Sequence, residues 1–131
     1  MAAPKVLVTA DALRRLVAGL FVARGSTPDD AETIADAFVQ KLGAKAASLP
    51  QAVLGQMVNR AAVERCNALI DDALSKGAKL ICGGKSDSRQ MQATVLDHVT
   101  SAMRIYYEES FGPVKPIVRV SGVEAAVACA N

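Results

Sequence analysis

The segment Tyr107-Glu-Glu-Ser-Phe-Gly-Pro-Val114 is the stretch around which the rest of the chain is organised. It places two carboxylates, an aromatic ring, a flexible glycine and a rigid proline between two stretches with the pattern of regular structure. Residues 114–120, which follow, are rich in valine and isoleucine, and these residues favour strands. The sequence therefore predicts a turn that leads into a strand from Val114 to Val120.

Two further strands are predicted upstream of this turn. Lys79-Leu-Ile-Cys82 is a short apolar run that ends at two glycines, and Ala93-Thr-Val-Leu96 is a second run of the same kind. The polar residues 85–90 between them predict a turn. Three strands bury their faces only when helices cover at least one side of the sheet.

Four amphipathic segments predict the helices. Their boundaries follow from capping residues, from proline at a first helical position and from glycine stops. They are Thr9–Gly25, Thr27–Ser48 with Pro28 at its first position, Arg60–Lys76 between Asn59 and Gly77, and Ser121–Ala130. The expected fold is α/β, with an N-terminal helical hairpin followed by a partial three-stranded sheet with covering helices.

Length, charge and cysteine content narrow the class of protein. The chain has 131 residues and a formal net charge of +2, which suits one domain and argues against a nucleic-acid partner. No stretch approaches the roughly 20 apolar residues of a membrane span, and the N-terminus lacks the pattern of a secretory signal. Three cysteines without such a signal predict reduced thiols and a cytoplasmic location.

Several short motifs occur in a recognisable order. They are Leu54-Gly-Gln-Met-Val-Asn59, Ala68-Leu-Ile-Asp-Asp-Ala73, Lys76-Gly-Ala-Lys-Leu80, Gly83-Gly-Lys85, Ala93-Thr-Val-Leu-Asp97, Met103-Arg-Ile105 and Glu108-Glu-Ser-Phe-Gly-Pro-Val114. Through them, residues 38–131 resemble the catalytic domain of the aldehyde dehydrogenase superfamily. The salicylaldehyde and benzaldehyde dehydrogenase branch is the most similar. The resemblance implies oxidoreductase ancestry and an NAD(P) cofactor.

The first forty residues resemble a different family. Val8-Thr-Ala-Asp-Ala-Leu13, Gly25 and Asp30-Ala-Glu-Thr-Ile-Ala-Asp-Ala-Phe-Val39 are similar to the N-terminal helices of the malate/L-lactate dehydrogenases that lack a Rossmann fold. We therefore expect a chimera with two parts. Residues 1–40 form a helical segment, and residues 41–131 form a partial aldehyde dehydrogenase-like catalytic domain. A natural fusion, a recombined clone and an engineered chimera all fit this arrangement.

The resemblance implies three catalytic requirements: a thiolate nucleophile, a carboxylate base and a bound nicotinamide ring. The family places its nucleophile in a Phe-x-x-x-Gly-Gln-x-Cys setting. Here Gly55-Gln56 has Gln51 at the phenylalanine position and Val58 at the thiol position. The base motif Glu-Leu-Gly-Gly-Lys and a phosphate-binding Gly-x-Gly-x-x-Gly loop are both absent from the sequence. No catalytic residue is therefore assigned.

Two residues of the central segment carry a cofactor prediction. By position, Glu109 matches the family's glutamate that holds the nicotinamide ribose, and Phe111 matches the aromatic residue beside the nicotinamide. A carboxylate suits this role because it accepts hydrogen bonds from both ribose hydroxyls. The alternative for Glu108 and Glu109 is a solvated turn. One ribose contact leaves the entropic cost of binding largely unopposed, so no cofactor is expected to bind the chain in isolation.

The remaining candidate nucleophiles favour structural interpretations. Cys66 falls on an apolar helix face, where a buried thiol stays protonated. Cys82 precedes two glycines that could expose its sulfur, and Cys129 lies on a terminal helix. His98 follows Asp97, and adjacent strand residues point to opposite faces, which favours a surface histidine. The cysteine and histidine spacings match no zinc pattern, so no metal is expected.

The expected protein is a truncated, fused aldehyde dehydrogenase-like chain that does not oxidise aldehydes alone. The alternatives are a small self-associating interaction or scaffold module and a cryptic hydrolase that uses Cys82 or a serine. An alanine-rich core with 4% aromatic residues buries little surface, and elements taken from a larger fold expose apolar faces. We therefore expect a homodimer.

Overall fold

The computed structural model describes residues 28–130, and side chains from Glu32 onward. The predicted first helix, Thr9–Gly25, and the predicted cap Thr27 lie outside the described residues. The chain divides into two compact units. One unit comprises residues 37–119 and contains the sheet. Of the described residues, 28–36 and 120–130 belong to the other.

The described residues form four α-helices, one 3-10 helix and three strands. The α-helices are α1 Pro28–Ala47, α2 Gln51–Leu54, α3 Arg60–Ser75 and α4 Val123–Ala130, and the 3-10 helix is Arg104–Tyr106. The strands are β1 Lys79–Cys82, β2 Thr94–Asp97 and β3 Val114–Pro116. This mixed arrangement of helices and a small sheet confirms the expected α/β class.

Helix α3 begins and ends where its local sequence predicts. Asn59 is extended, and its side chain accepts a hydrogen bond of 2.8 Å from the Ala62 amide, which satisfies one of the free donors of the first turn. At the other end Gly77 has φ 100°, and the Ala78 amide bonds to Ala73 O at 3.0 Å. This left-handed glycine after the last turn stops the helix.

One face of α3 supplies the core of the larger unit. Its buried residues recur every three or four positions, so they form one stripe along the helix. They are Val63, Cys66, Leu69, Ile70 and Ala73. They pack in one cluster with residues from the strand and loop region, including Met91, Leu96, Met103 and Val114. The helix therefore fixes the position of every segment that crosses this cluster.

The sheet has the order β1-β2-β3, with β1 antiparallel to β2 and β2 parallel to β3. All four residues of β2 are buried, as expected for a central strand. The parallel pair requires a long connection, and residues 98–113 provide it through the 3-10 helix. A glycine brings α1 close to β1, because a Cβ at Gly43 would collide with the Ile81 side chain.

Three sequence predictions need correction. No helix was predicted between Ser48 and Arg60, but residues 51–54 form α2. The strand expected from Val114 to Val120 ends at Pro116, because β2 turns away at His98, which has φ 59°. The strand expected over 93–96 lies over 94–97. No helix within residues 28–130 is long and apolar enough to cross a membrane.

Candidate functional site

The candidate site is the loop Tyr107–Val114, which joins the 3-10 helix to β3. At its start the Arg104 guanidinium binds both carboxylate oxygens of Glu108, at 2.8 and 3.0 Å. At its end the Thr94 amide donates to Pro113 O at 2.7 Å, which joins the loop to β2. Both ends of the loop are therefore tied to regular structure.

Helix α3 holds the middle of the loop. The Arg65 guanidinium donates to Glu109 O at 2.7 Å, and the Cys66 thiol donates to Ser110 O at 3.3 Å. Burial raises the pKa of the Cys66 thiol, although the nearby positive charge of Arg65 opposes this effect. The raised pKa keeps the sulfur protonated, so it can act as a donor.

Local hydrogen bonds and close packing shape the second half of the loop. The Ser110 hydroxyl lies 3.2 Å from Gly112 O and from Val114 O, and it accepts from the Gly112 amide at 3.4 Å. A Cβ at Gly112 would lie 2.6 Å from Cys66 Sγ and 3.0 Å from Met57 Cε. Only glycine therefore fits against the core at this point.

The two predicted cofactor residues, Glu109 and Phe111, lie together on the exposed part of this loop. Phe111 is 74% exposed and has φ 47°, a left-handed conformation that few non-glycine residues adopt. Arg65 Cζ lies 5.4 Å from the centroid of its ring, within the range of a cation–π contact. Glu109 is exposed, and within the described residues its carboxylate forms no ion pair. The loop backbone is held while these two side chains face solvent.

The neighbouring carboxylates of the loop have different roles. Hydrogen bonds from Arg104 lower the pKa of Glu108, and hydrogen bonds from the Lys76 side chain and the Arg104 amide lower the pKa of Asp72. Lys76 also donates to Ala102 O at 2.8 Å. These contacts join the end of α3 to the 3-10 helix. Glu108 is therefore a structural carboxylate, which leaves Glu109 as the one available to a ligand.

A second charged cluster lies at the end of β2. Asp97 has a side chain that is 3% exposed, and Arg119 holds it with contacts of 2.6 and 3.1 Å. Burial alone would raise the pKa of this carboxyl, but the hydrogen bonds from Arg119 and from the His98 amide lower it below its usual value. The cluster joins β2 to the segment that follows β3.

The orientation of His98 differs from the prediction. Its Nδ1 lies 3.1 Å from Asp97 Oδ2, without hydrogen-bond geometry. Asp97 and His98 do not point to opposite faces, because β2 ends at Asp97 and the left-handed backbone of His98 turns its ring back towards that carboxylate. The side chain is 37% exposed, at the edge of the surface rather than fully on it.

Neither Cys66 nor Cys82 forms a nucleophilic site with the loop. Cys66 is buried, as predicted, and contacts the loop from its core side. Cys82 is half-buried, and its sulfur lies 3.6 Å from Ala93 O. Cys129 lies on α4, in the other unit. No group of three His, Cys, Asp or Glu side chains among the described residues could hold a metal ion.

Sequence reasoning missed the contacts that Arg65 and Cys66 make with the loop. Each residue is separated by 44 positions from the carbonyl it contacts, so no short-range pattern connects them. The available signals were indirect: an arginine beside a buried helix position, and a glycine between Phe111 and Pro113.

The sequence model of the Aldehyde dehydrogenase family matches residues 29–131. Vanillin dehydrogenase of Pseudomonas fluorescens is 47% identical over 105 residues, which cover 75% of this chain and 22% of the relative. Salicylaldehyde dehydrogenase of Pseudomonas putida is 44% identical over 108 residues, which cover 76% and 22%. The chain therefore spans about a fifth of the length of the curated relatives that it matches.

Solved structures show the same similarity in three dimensions. A salicylaldehyde dehydrogenase from Pseudomonas putida G7, complexed with salicylaldehyde, superposes with a TM-score of 0.71 at 37% identity and covers 91% of this chain and 28% of its own. An NADP-dependent glyceraldehyde-3-phosphate dehydrogenase from Bacillus halodurans, complexed with NADP, has a TM-score of 0.68 at 33% identity, covering 74% and 22%. The family match covers most of the sequence, and the matched structures share its fold. The chain belongs to the aldehyde dehydrogenase family.

Proposed function

We propose that this chain carries the nicotinamide-ribose end of an NAD(P) site in an aldehyde dehydrogenase catalytic domain. Glu109 accepts hydrogen bonds from the ribose hydroxyls, and Phe111 lies beside the nicotinamide ring. One observation carries the proposal: the loop backbone is held by α3 and β2 while the Glu109 carboxylate and the Phe111 ring remain exposed. A site that is fixed before binding loses less entropy when a ligand arrives.

The residues present fit this end of the cofactor. A carboxylate outside any ion pair of the described residues keeps its oxygens for a diol. An exposed aromatic ring offers a face to a planar ring, and such pairs contribute about 0.5–1.5 kcal/mol beyond the area they bury. When bound, the nicotinamide supplies the hydride acceptor of aldehyde oxidation. The chain's own part is to orient the ribose.

The same proposal limits what the chain does alone. The sequence lacks the thiol setting, the base motif and the phosphate loop described above, and the Cys66 thiol lies on the core side of the loop. We propose that the 131-residue chain does not oxidise aldehydes and binds NAD weakly, with a dissociation constant of roughly 1–10 mM. The aromatic-aldehyde relatives favour an aromatic aldehyde as the substrate of the ancestral enzyme.

The two nucleotides that make up NAD, tested separately, show whether Glu109 and Phe111 bind the nicotinamide ribose. Nicotinamide mononucleotide, added at millimolar concentration to isotope-labelled protein, is expected to shift the amide resonances of Glu109 and Phe111. Adenosine monophosphate, which carries the other half, is expected to leave them unchanged. Glu109→Ala is expected to abolish the response. Equal responses to both nucleotides, or none to the nicotinamide half, would overturn the assignment.

A turnover assay tests the second part of the proposal. The purified chain is mixed with NAD and either salicylaldehyde or vanillin, and NADH absorbance is followed. We expect no aldehyde-dependent signal. NADH formation that disappears in Cys82→Ala would show that this thiol acts as a nucleophile and would contradict the proposal. Ester hydrolysis that disappears in the same variant would support the cryptic hydrolase instead.

The proposed chimeric origin concerns residues 1–40 and 41–131. Its support is the resemblance of Val8–Leu13 and Asp30–Val39 to the malate/L-lactate dehydrogenases. The family match begins at residue 29, inside the first of these parts. The source DNA on both sides of the reading frame tests this origin. Aldehyde dehydrogenase sequence that continues in frame immediately upstream of codon 1 would refute it.

An interaction module is the second candidate function. Apolar side chains remain exposed in the larger unit: Val58 is 80% exposed, Tyr107 71% and Val53 69%. Exposed apolar surface favours association when it forms a patch. We propose that the chain covers these residues by forming a homodimer.

A further inference from the structure

Two consecutive residues of α3 contact two consecutive carbonyls of the candidate loop. Arg65 Nη2 donates to Glu109 O at 2.7 Å, and Cys66 Sγ donates to Ser110 O at 3.3 Å. The acceptors lie immediately before Phe111. The two contacts together therefore fix the direction of the backbone at the point where it enters an unfavourable conformation.

That conformation requires support. Phe111 has φ 47°, and a bulky side chain persists in the left-handed region only when its surroundings determine the backbone. The two carbonyls before Phe111 accept hydrogen bonds from α3. Gly112, which follows Phe111, packs so closely against Cys66 that a Cβ added to it would lie 2.6 Å from the sulfur. Support therefore comes from both sides of the strained residue.

Cys66 supports the loop conformation through its size as well as through its hydrogen-bond donor. It is completely buried, and it lies between the core and the loop. A larger apolar side chain would displace Gly112, whereas alanine would remove the donor and leave Ser110 O without this contact. Serine keeps a donor in a similar volume, and it therefore separates the hydrogen bond from the packing.

Arg65 supports the loop conformation from the solvent-exposed side. Its guanidinium donates to Glu109 O and also lies over the Phe111 ring at 5.4 Å. One planar group thus fixes the backbone of one candidate residue and the ring of the other. Lysine offers a point charge on a flexible stem and cannot reproduce the planar fork.

We propose that Cys66 and Arg65 are positioning residues that hold the Glu109 carboxylate and the Phe111 ring in the orientation that a nicotinamide ribose requires. The functional part of this inference rests on the proposed function; the conformational part does not. Neither residue is assigned a contact with the cofactor. Both act through the loop, and their removal changes its conformation before any ligand is present.

The experiment compares five proteins by NMR: the unmodified chain, Arg65→Ala, Cys66→Ala, Cys66→Ser and the control Arg60→Ala. Arg60 lies on the same helix and pairs with Glu64 instead of the loop, at 3.6 Å. The carbonyl carbon shifts of Glu109 and Ser110 report the two hydrogen bonds. Amide heteronuclear NOEs of residues 109–112 report local order, and β2 amides report the fold.

Each alanine variant is expected to move the carbonyl shift of its own acceptor and to lower the loop NOEs while the β2 amides stay in place. Cys66→Ser is expected to restore the Ser110 shift, and Arg60→Ala to change neither carbonyl. Unchanged carbonyl shifts and NOEs in both alanine variants would overturn the inference. Arg65 is exposed, so its variant remains informative even when Cys66→Ala unfolds.

Nicotinamide mononucleotide then separates the two proposals. If the unmodified loop responds and both alanine variants respond about tenfold more weakly, roughly the effect of one lost hydrogen bond, positioning for the ribose is supported. If the variants respond equally, positioning for the ribose is refuted. If the unmodified loop does not respond, the proposed function fails, and the carbonyl shifts alone decide whether Cys66 and Arg65 hold the loop.

Discussion

Gly112 is required because of its neighbours rather than because of its own backbone angles. A Cβ at this position would lie 2.6 Å from Cys66 Sγ, closer than real contacts allow, and 3.0 Å from Met57 Cε, which is a tight contact. Forcing extra volume into a packed core costs about 1–3 kcal/mol. We expect Gly112→Ala to lower the free energy of unfolding by that amount, measured by urea denaturation.

A second substitution tests whether the Cys66 sulfur is the reason that Gly112→Ala destabilises the fold. Cys66→Ala removes the sulfur that the new methyl group would meet, so Gly112→Ala should cost less in the Cys66→Ala background than in the unmodified chain. Contacting residues show such coupling, whereas distant residues add independently. Strict additivity of the two changes would show that the sulfur is not the obstacle.

The ionisation of Asp97 makes the stability of the fold depend on pH in the acidic range. Its folded pKa lies below the unfolded value of about 3.9, because the hydrogen bonds from Arg119 and the His98 amide outweigh the cost of burial. The ionised form therefore stabilises the fold above the unfolded pKa, and this contribution is lost as pH falls through the folded pKa. We expect the free energy of unfolding to fall below about pH 4.

The variant Asp97→Asn tests whether Asp97 is the group that makes the fold sensitive to acid. Breaking a buried ion pair costs about 3–5 kcal/mol, so the variant should be far less stable at pH 7 and should lose less of its remaining stability as pH falls. Asp71→Asn is the matched control, since Asp71 pairs with Lys85 at the exposed surface and such pairs contribute about 0–1 kcal/mol. Equal pH dependence in the Asp97→Asn variant and the unmodified chain would assign the acid sensitivity elsewhere.

At the scale of elements, α3 positions the candidate site, and its first turn depends on one side chain. The Asn59 amide oxygen accepts the Ala62 amide at 2.8 Å. Asn59→Ala should lower the free energy of unfolding by about 1 kcal/mol, measured by thermal or urea denaturation. Asn59→Asp keeps the acceptor and adds a charge that favours the helix N-terminus, so it should match or exceed the unmodified chain. An equal loss in both variants would argue against capping.

The elements predicted correctly are those with local signals. Pro28 begins α1, Asn59 and Gly77 bound α3, and the run Lys79–Cys82 forms β1 as expected. The short helix Gln51–Leu54 and the 3-10 helix lack such signals, because each is a single turn. The end of β3 depended on where its partner strand turns, and His98 gave no warning of its left-handed backbone.

The candidate loop shows the same division. Its residues could be selected from the sequence because Glu109 and Phe111 match a family motif. The distinct roles of Glu108 and Glu109 could not be predicted from the sequence. Arg104 hydrogen-bonds to the Glu108 carboxylate only because the 3-10 helix brings the two side chains together. The contacts from α3 join residues that are 44 positions apart, and only the folded chain brings them together.

At the scale of the whole molecule, the chain spans about a fifth of the length of its curated relatives. In a longer fold each strand and helix packs against further elements, and a segment of this size exposes some of those faces. The outer edge of β3 is partly blocked, because Pro116 has no amide hydrogen and the Ser110 hydroxyl lies 3.2 Å from Val114 O. We therefore expect copies of the chain to associate through exposed side chains rather than by adding a strand to β3.

The homodimer prediction follows from those side chains. Val58 is 80% exposed, directly beside the buried Met57, and a dimer that covers it removes apolar surface from water. Sedimentation equilibrium of the unmodified chain should give a dimer, and Val58→Lys should shift it towards monomer because a buried unpaired charge is costly. Ala68→Lys adds the same charge at an exposed position of α3 and should remain a dimer. A compact monomer in the unmodified chain would contradict the prediction, and an unchanged dimer in Val58→Lys would exclude Val58 from the interface.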